Sequence, residues 1–314
     1  MYAAEHGSAD AARLLLEAGA PVDAKDGDGK TALDWAVENG HVAVADVLEA
    51  HGARVGAKTP GAAATAPAEG FGALGALFGN LAKLGGGGDD EDEEETPLMR
   101  AAMNGHLAMV QRLVEQGADV NAGEKEGNRT ALMYAAMNGH ADVVEYLLQK
   151  GANAKAVETG DTTALHLTAF EGNASVIKLL LAAGADANAA DDEGCTALLN
   201  VAHSGSVESM RLLLAAGADP NAVGDMEGKT TPLISTVAAE NVEMVKLLLQ
   251  AGADPNLAVN RYGDDDYEDD DGKEEDSEDE GVDDDEDKMT PLYMAQSCGN
   301  EEIIALLKAA GARE

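Results

Sequence analysis

Aromatic side chains are scarce in this chain of 314 residues: three Phe, one Trp and six Tyr, or 3%. Rings usually supply much of a thick globular core. Leu, Ala and Val must therefore build the interior, which suits thin, closely stacked helical layers. Cations are also few. Lys and Arg number 21 against 59 Asp and Glu, a formal net charge of −38. A field of that sign repels nucleic acid and anionic lipid, so neither is expected as a partner. It favours cationic partners or cations instead, and so a protein partner that could be basic. The two cysteines, Cys195 and Cys298, are not expected to pair, which fits a reducing compartment. No stretch approaches the roughly 20 apolar residues of a membrane span. Residues 1–20 carry no basic start followed by an apolar run, so a cytoplasmic location is expected.

What is abundant is self-similarity. The phrase Thr-(Ala/Pro)-Leu recurs at 31–33, 96–98, 130–132, 163–165, 196–198, 231–233 and 290–292, with four intervals of 34, 33, 33 and 35 residues. A fixed period of this length marks a stacked repeat architecture whose units contact mainly their neighbours. Within the unit beginning at Thr130, Leu132, Ala135 and Ala136 share one face of a short helix. Gly139 breaks it. Val143, Val144, Leu147 and Leu148 form the stripe of a second helix, which Gly151 ends. Cys195 and Cys298 then lie about three repeats apart. Helix layers are roughly 8–10 Å apart, whereas a disulfide needs Cα atoms within about 7 Å, so they should not pair.

These residues resemble the ankyrin repeat. The signature stands as Thr-Pro-Leu at 96–98, Asn-Gly-His at 39–41, 104–106 and 138–140, and Gly-Ala-Asp at 117–119, 184–186, 217–219 and 252–254. The resemblance implies a mainly α solenoid of stacked helix-turn-helix units with β-hairpin fingers, here about eight units with the first truncated. It also implies protein binding through the fingers and the first helix of each unit, on a concave face.

Some positions depart from the family pattern. Its His after Leu survives only as His166; Asp34, Met99, Met133, Leu199, Ile234 and Tyr293 replace it elsewhere. Glu240 replaces a mid-repeat glycine, so that turn should be strained. Asp161 stands where a hairpin glycine is expected, beside Gly160. Met1-Tyr2-Ala3-Ala4 aligns with Met133-Tyr134-Ala135-Ala136, so the chain opens in the middle of the motif and upstream residues are expected to be missing.

Two segments interrupt the register, dividing the chain into units 1–2 at 1–55, an insert at 56–95, units 3–7 at 96–260, an insert at 261–288 and a last unit at 289–314. The first insert is Ala-, Gly- and Pro-rich and ends in the acidic run 89–95. Within it, Phe71, Leu74, Leu77, Phe78, Leu81 and Leu84 mark a short amphipathic segment over 71–84. It could pack on the repeats, bind a partner or touch a membrane. The second has 18 acidic residues and two lysines between Asp264 and Lys288. Both compositions favour disorder. The stretches 71–95 and 264–288 together hold 25 acidic residues against 3 basic, leaving 34 against 18 in the rest of the chain.

Motifs for catalysis are missing: there is no Gly-x-Ser-x-Gly, no phosphate-cradling loop with its Lys, and no His-Glu-x-x-His. No enzymatic activity and no cofactor are expected. His41, His106 and His140 recur at one turn position and should each tie down their own loop. Repeat-equivalent positions lie a layer apart, too far for zinc. Calcium is the sharper alternative. An EF-hand-like frame on Gly281 offers Asp276, Glu278 and Glu280, but it ends on Asp287 instead of Glu.

The variable pair before the mid-repeat glycine is the expected partner-binding surface: Met103 and Asn104, Met137 and Asn138, Phe170 and Glu171, His203 and Ser204, extended by Ala238 and Ala239. Met103, Met137 and Phe170 would form an apolar row, since exposed Met and aromatic residues mark adaptable contact sites. Packing beneath neighbouring fingers is the competing reading. The chain is thus expected to be a monomeric scaffold for a protein partner. The alternative is a polyanionic or calcium-responsive binder of basic proteins acting through 264–287.

Overall fold

The computed structural model describes residues 1–53, 95–226, 228–260 and 288–313. The chain forms two compact units, Met1–Thr159 and Gly160–Glu314. In the first, short helices alternate as pairs: α1 (Tyr2–Glu5) with α2 (Ala9–Glu17), α3 (Ala32–Glu38) with α4 (Val42–Ala50), α5 (Pro97–Met103) with α6 (Leu107–Glu115), and α7 (Ala131–Met137) with α8 (Ala141–Gln149). The second unit repeats the plan with α9 (Ala164–Glu171), α10 (Ala174–Ala182), α11 (Ala197–Ser204), α12 (Val207–Ala215), α13 (Pro232–Ala238), α14 (Val242–Gln250), α15 (Pro291–Cys298) and α16 (Glu301–Ala309).

The recurring phrase sets each first helix. Its Thr is the N-cap, and the hydroxyl oxygen accepts the backbone N–H three residues on at 3.1–3.4 Å. Its Leu turns into the core, at most 2% exposed at Leu33, Leu98, Leu132, Leu165, Leu198, Leu233 and Leu292. Ala101, Ala102, Ala135 and Ala136 are fully buried; their small side chains let successive helix pairs close on one another. On α8, Val143, Val144 and Leu147 are buried as the stripe predicts. Leu148 is only half-buried, because it lies on the edge of that stripe.

The turn histidines work differently from expectation. They do not tie down their own loops but reach the preceding pair. Nε2 of His41, His106 and His140 lies 3.0, 2.7 and 2.9 Å from the carbonyls of Glu5, Glu38 and Met103. Each ring also covers the preceding mid-repeat glycine: a Cβ at Gly40 would stand 2.6 Å from His106, and one at Gly105 2.5 Å from His140. The glycine therefore serves the turn and the next repeat together.

A second tie runs along the fingers. The side chain of Asn121 donates from Nδ2 to the Gly151 carbonyl (3.1 Å) and accepts the Asn153 N–H (2.8 Å). In the second unit, Asn188 makes the same two bonds with Gly217 and Asp219, Asn221 with Gly252 and Asp254, and Asn256 with Gly311 and Arg313. The fingers are short. Strands β1 (Gly224–Asp225) and β2 (Lys229–Thr230) pair antiparallel, as do β3 (Val259–Asn260) and β4 (Lys288–Met289). Gly123 with Thr130 and Ala190 with Thr196 form single bridges.

Repeats on either side of each interruption stack directly. Arg112 on α6 donates to the Val42 carbonyl (2.9 Å) and pairs with Asp46 and Glu49, both at 2.7 Å. Across the second interval, Lys246 meets Glu302 at 2.8 Å and Asn300 donates to Glu240 at 3.1 Å. The segment 71–84 and the span 264–287 lie outside the described residues. Glu240 does hold the left-handed conformation its glycine-like position demands, with φ 53°; Asp161 does the same at 57°, next to Gly160 at 81°. Cys195 and Cys298 are free thiols.

Candidate functional site

The first helices and fingers carry the candidate surface, and their chemistry differs between the two units. In the first unit, Met103 and Met137 end α5 and α7 half-buried, with the Met103 carbonyl occupied by His140. Asn104 and Asn138 are exposed, and each donates back to a carbonyl four residues earlier, Arg100 at 3.0 Å and Tyr134 at 2.9 Å. Asn39 does the same to Trp35 at 2.8 Å. These amides finish their own helices.

Sequence reasoning missed a second row in this unit. Trp35, Arg100 and Tyr134 occupy one position, four residues after the capping Thr, and each reaches a carboxylate. The Trp35 indole N–H donates to Asp26 at 2.6 Å, which holds that carboxyl below its usual range. The Tyr134 hydroxyl donates to Glu124 at 2.7 Å. Burial first, then the Glu124 and Glu95 carboxylates, push its phenol well above the ordinary value. Arg129 pairs with Glu158, which raises its own pKa, and lies 5.4 Å from the Tyr134 ring centroid. Aligning the repeats would have exposed this row, since all three positions share one register.

Replacement of the family histidine is chemically graded. His166 is 2% exposed; Nδ1 faces the Thr163 N–H at 3.2 Å, so Nε2 carries the proton and donates to the Cys195 carbonyl at 3.1 Å. Burial lowers its pKa. Asp34 reproduces the acceptor: Oδ2 takes the Thr31 N–H at 2.8 Å and the hydroxyl at 2.7 Å. Met99 and Met133 offer only thioether sulfur, 3.3 and 3.4 Å from the Thr96 and Thr130 N–H. Cys195 is buried, which together with Asp191 pushes its thiol up to about 11.

In the second unit the positions before the mid-repeat glycine open outward. Phe170 is 56% exposed, and its ring stacks on His203, centroids 6.3 Å apart with 20° between planes. Glu171, His203, Ala238 and Ala239 are exposed. Ser204 anchors the pair, donating to the Ala169 carbonyl at 3.2 Å. Of the eight expected residues, Met103 lies beside Met137's repeat in one unit, and Phe170 lies against His203 in the other.

Among the described residues, no three His, Cys, Asp or Glu side chains are grouped to hold a metal ion. No described helix is long and apolar enough to cross a membrane. A family profile described as ankyrin repeats (3 copies) matches residues 74–158 and 165–259, and one described as ankyrin repeats (many copies) matches 1–49. No curated protein matches the chain.

Proposed function

The chain belongs to the ankyrin repeat family, and on that footing we propose that it is a non-enzymatic scaffold whose first-helix ends and fingers dock a protein partner. Ankyrin repeats generally mediate protein–protein interaction, and their proteins are typically non-enzymatic scaffolds. Fold alone does not supply a partner; the observation that carries this reading is the outward Phe170–His203 stack. In the first helices of that unit the other large apolar side chains are buried or half-buried, apart from Tyr293 at 53% exposed. An exposed aromatic on a rigid helix end costs little in docking entropy and fills a partner's pocket well. Met103 and Met137 contribute as half-buried, adaptable contacts. The working state is a monomer in the cytoplasm.

The rival reading places function in the acidic span 264–287. Affinity capture at about 150 mM salt, where long-range attraction between exposed charges is largely screened, separates the two. Wild type is compared with Met103→Arg/Met137→Arg/Phe170→Arg, with the milder Phe170→Ala/His203→Ala, and with a 264–287 deletion. A client lost in both substitution variants and kept by the deletion supports the docking face. A client kept by both and lost only with the deletion overturns it.

A further inference from the structure

Charge is segregated in the second unit. Its first helices, α9, α11, α13 and α15, contain no Lys or Arg; their one formal charge is Glu171. All four helical cations lie on second helices: Lys178, Arg211, Lys246 and Lys308. Arg211 pairs there with Glu243 at 2.6 Å and Lys246 with Glu302 at 2.8 Å. The finger joining α10 to α11 adds Asp191, Asp192 and Glu193 with no cation, and the next adds Asp225. Lys229 and Lys288 stand on finger strands. The first unit shows no such division, with Arg100 on a first helix and Lys30, Lys125 and Arg129 on its fingers.

Glu171 matters most, because it follows Phe170 at the same exposed helix end and pairs with no cation among the described residues. A face with an aromatic stack, an exposed carboxylate at the same helix end and acidic fingers leading into the opposite ends of its helices complements one chemistry. Arginine meets all three: its planar guanidinium lies over rings and pairs with carboxylates. We propose that the first-helix face of the second unit takes an arginine-rich segment of the partner, with Phe170 and His203 as the platform and Glu171 as the counter-charge. The proposal rests on the docking reading above and adds the partner's chemistry to it.

The test is fluorescence anisotropy of a labelled peptide alternating arginine and leucine, beside the same peptide with glutamate for arginine, at about 150 mM salt. The full chain is used with Phe170→Ala, Glu171→Lys and Glu208→Lys, the last placing the same charge change on a second helix. The arginine peptide binds wild type; Phe170→Ala and Glu171→Lys each weaken it about tenfold, and Glu208→Lys by less than about twofold. Equal losses in Glu171→Lys and Glu208→Lys mean diffuse attraction to an acidic chain and overturn the proposal. So does the absence of arginine-peptide binding, or binding that Phe170→Ala leaves unchanged. Phe170-dependent binding of the glutamate peptide overturns the charge assignment alone and leaves the docking reading standing.

Discussion

A terminal guanidinium nitrogen of Arg100 lies 3.4 Å from Oδ1 of Asp34, with the two side chains 11% and 4% exposed. The other oxygen of that carboxylate is already taken by the Thr31 N–H and hydroxyl. One residue thus closes its own helix cap and receives a cation from the next repeat, directly across the interval of 65 residues. The Arg100 Nε is buried without a partner, so the pair is held but not fully satisfied.

Arg100→Met leaves a buried carboxylate with only its local bonds, and a loss of about 2–3 kcal/mol is expected. Asp34→Leu/Arg100→Met should be less destabilised than that single variant, since Leu199 shows that this position tolerates leucine. Urea midpoints decide it. A double variant as unstable as the sum of the two singles would show that the pair carries no coupling.

Gly105 and Gly117 both have left-handed backbones, at φ 70° and 95°, but only Gly105 lies under a ring. Ala at either costs about 1–2 kcal/mol in backbone strain. Gly105→Ala should lose at least about 1 kcal/mol more, because its Cβ meets the His140 ring. Adding His140→Ala should recover that excess. Equal losses at the two glycines would mean that the ring moves aside freely.

Burial lowers the pKa of His166 below the ordinary 6.5. Below 6.5 the unfolded chain therefore binds a proton that the folded chain still refuses. Stability should rise with pH through the window from the lowered folded value up to 6.5, and fall as acid is added. Against His166→Leu, whose stability lacks this dependence, the wild-type unfolding free energy should fall further as pH drops through that window. A parallel pair of curves would show that His166 is not what titrates.

Glu240 holds a φ of 53° that glycine adopts without strain. Glu240→Gly should raise stability by about 1 kcal/mol, offset slightly by loss of the exposed Asn300 contact. A thermal midpoint that falls in the variant would place the strain elsewhere.

The repeat plan was legible because each signal acts locally: a capping Thr, a core Leu three residues into the phrase, a glycine where the chain must turn left-handed. The histidines show where local reading stops. Their position was plain, yet their acceptors sit in the preceding repeat, 36 residues away for His41 and Glu5. Exposure along the candidate row was not legible for a similar reason. Met103, Met137 and Phe170 share one repeat position, but how far each side chain stands out depends on its neighbours in adjacent repeats. Glu171 at the end of a helix with an exposed ring, and the helical cations of the second unit confined to second helices, become visible only once the helices are assigned faces.

The pairing of Val259 with Met289 and Asn260 with Lys288 has a consequence for loop closure. Neighbouring strands are about 5 Å apart, so the ends of whatever lies between Asn260 and Lys288 are already brought together by the hairpin. If that span carried no structure of its own, doubling its length would cost only about 0.6 kcal/mol in loop-closure entropy. Under that condition closure sets little limit on the length of the span, while α13 and α15 keep their register.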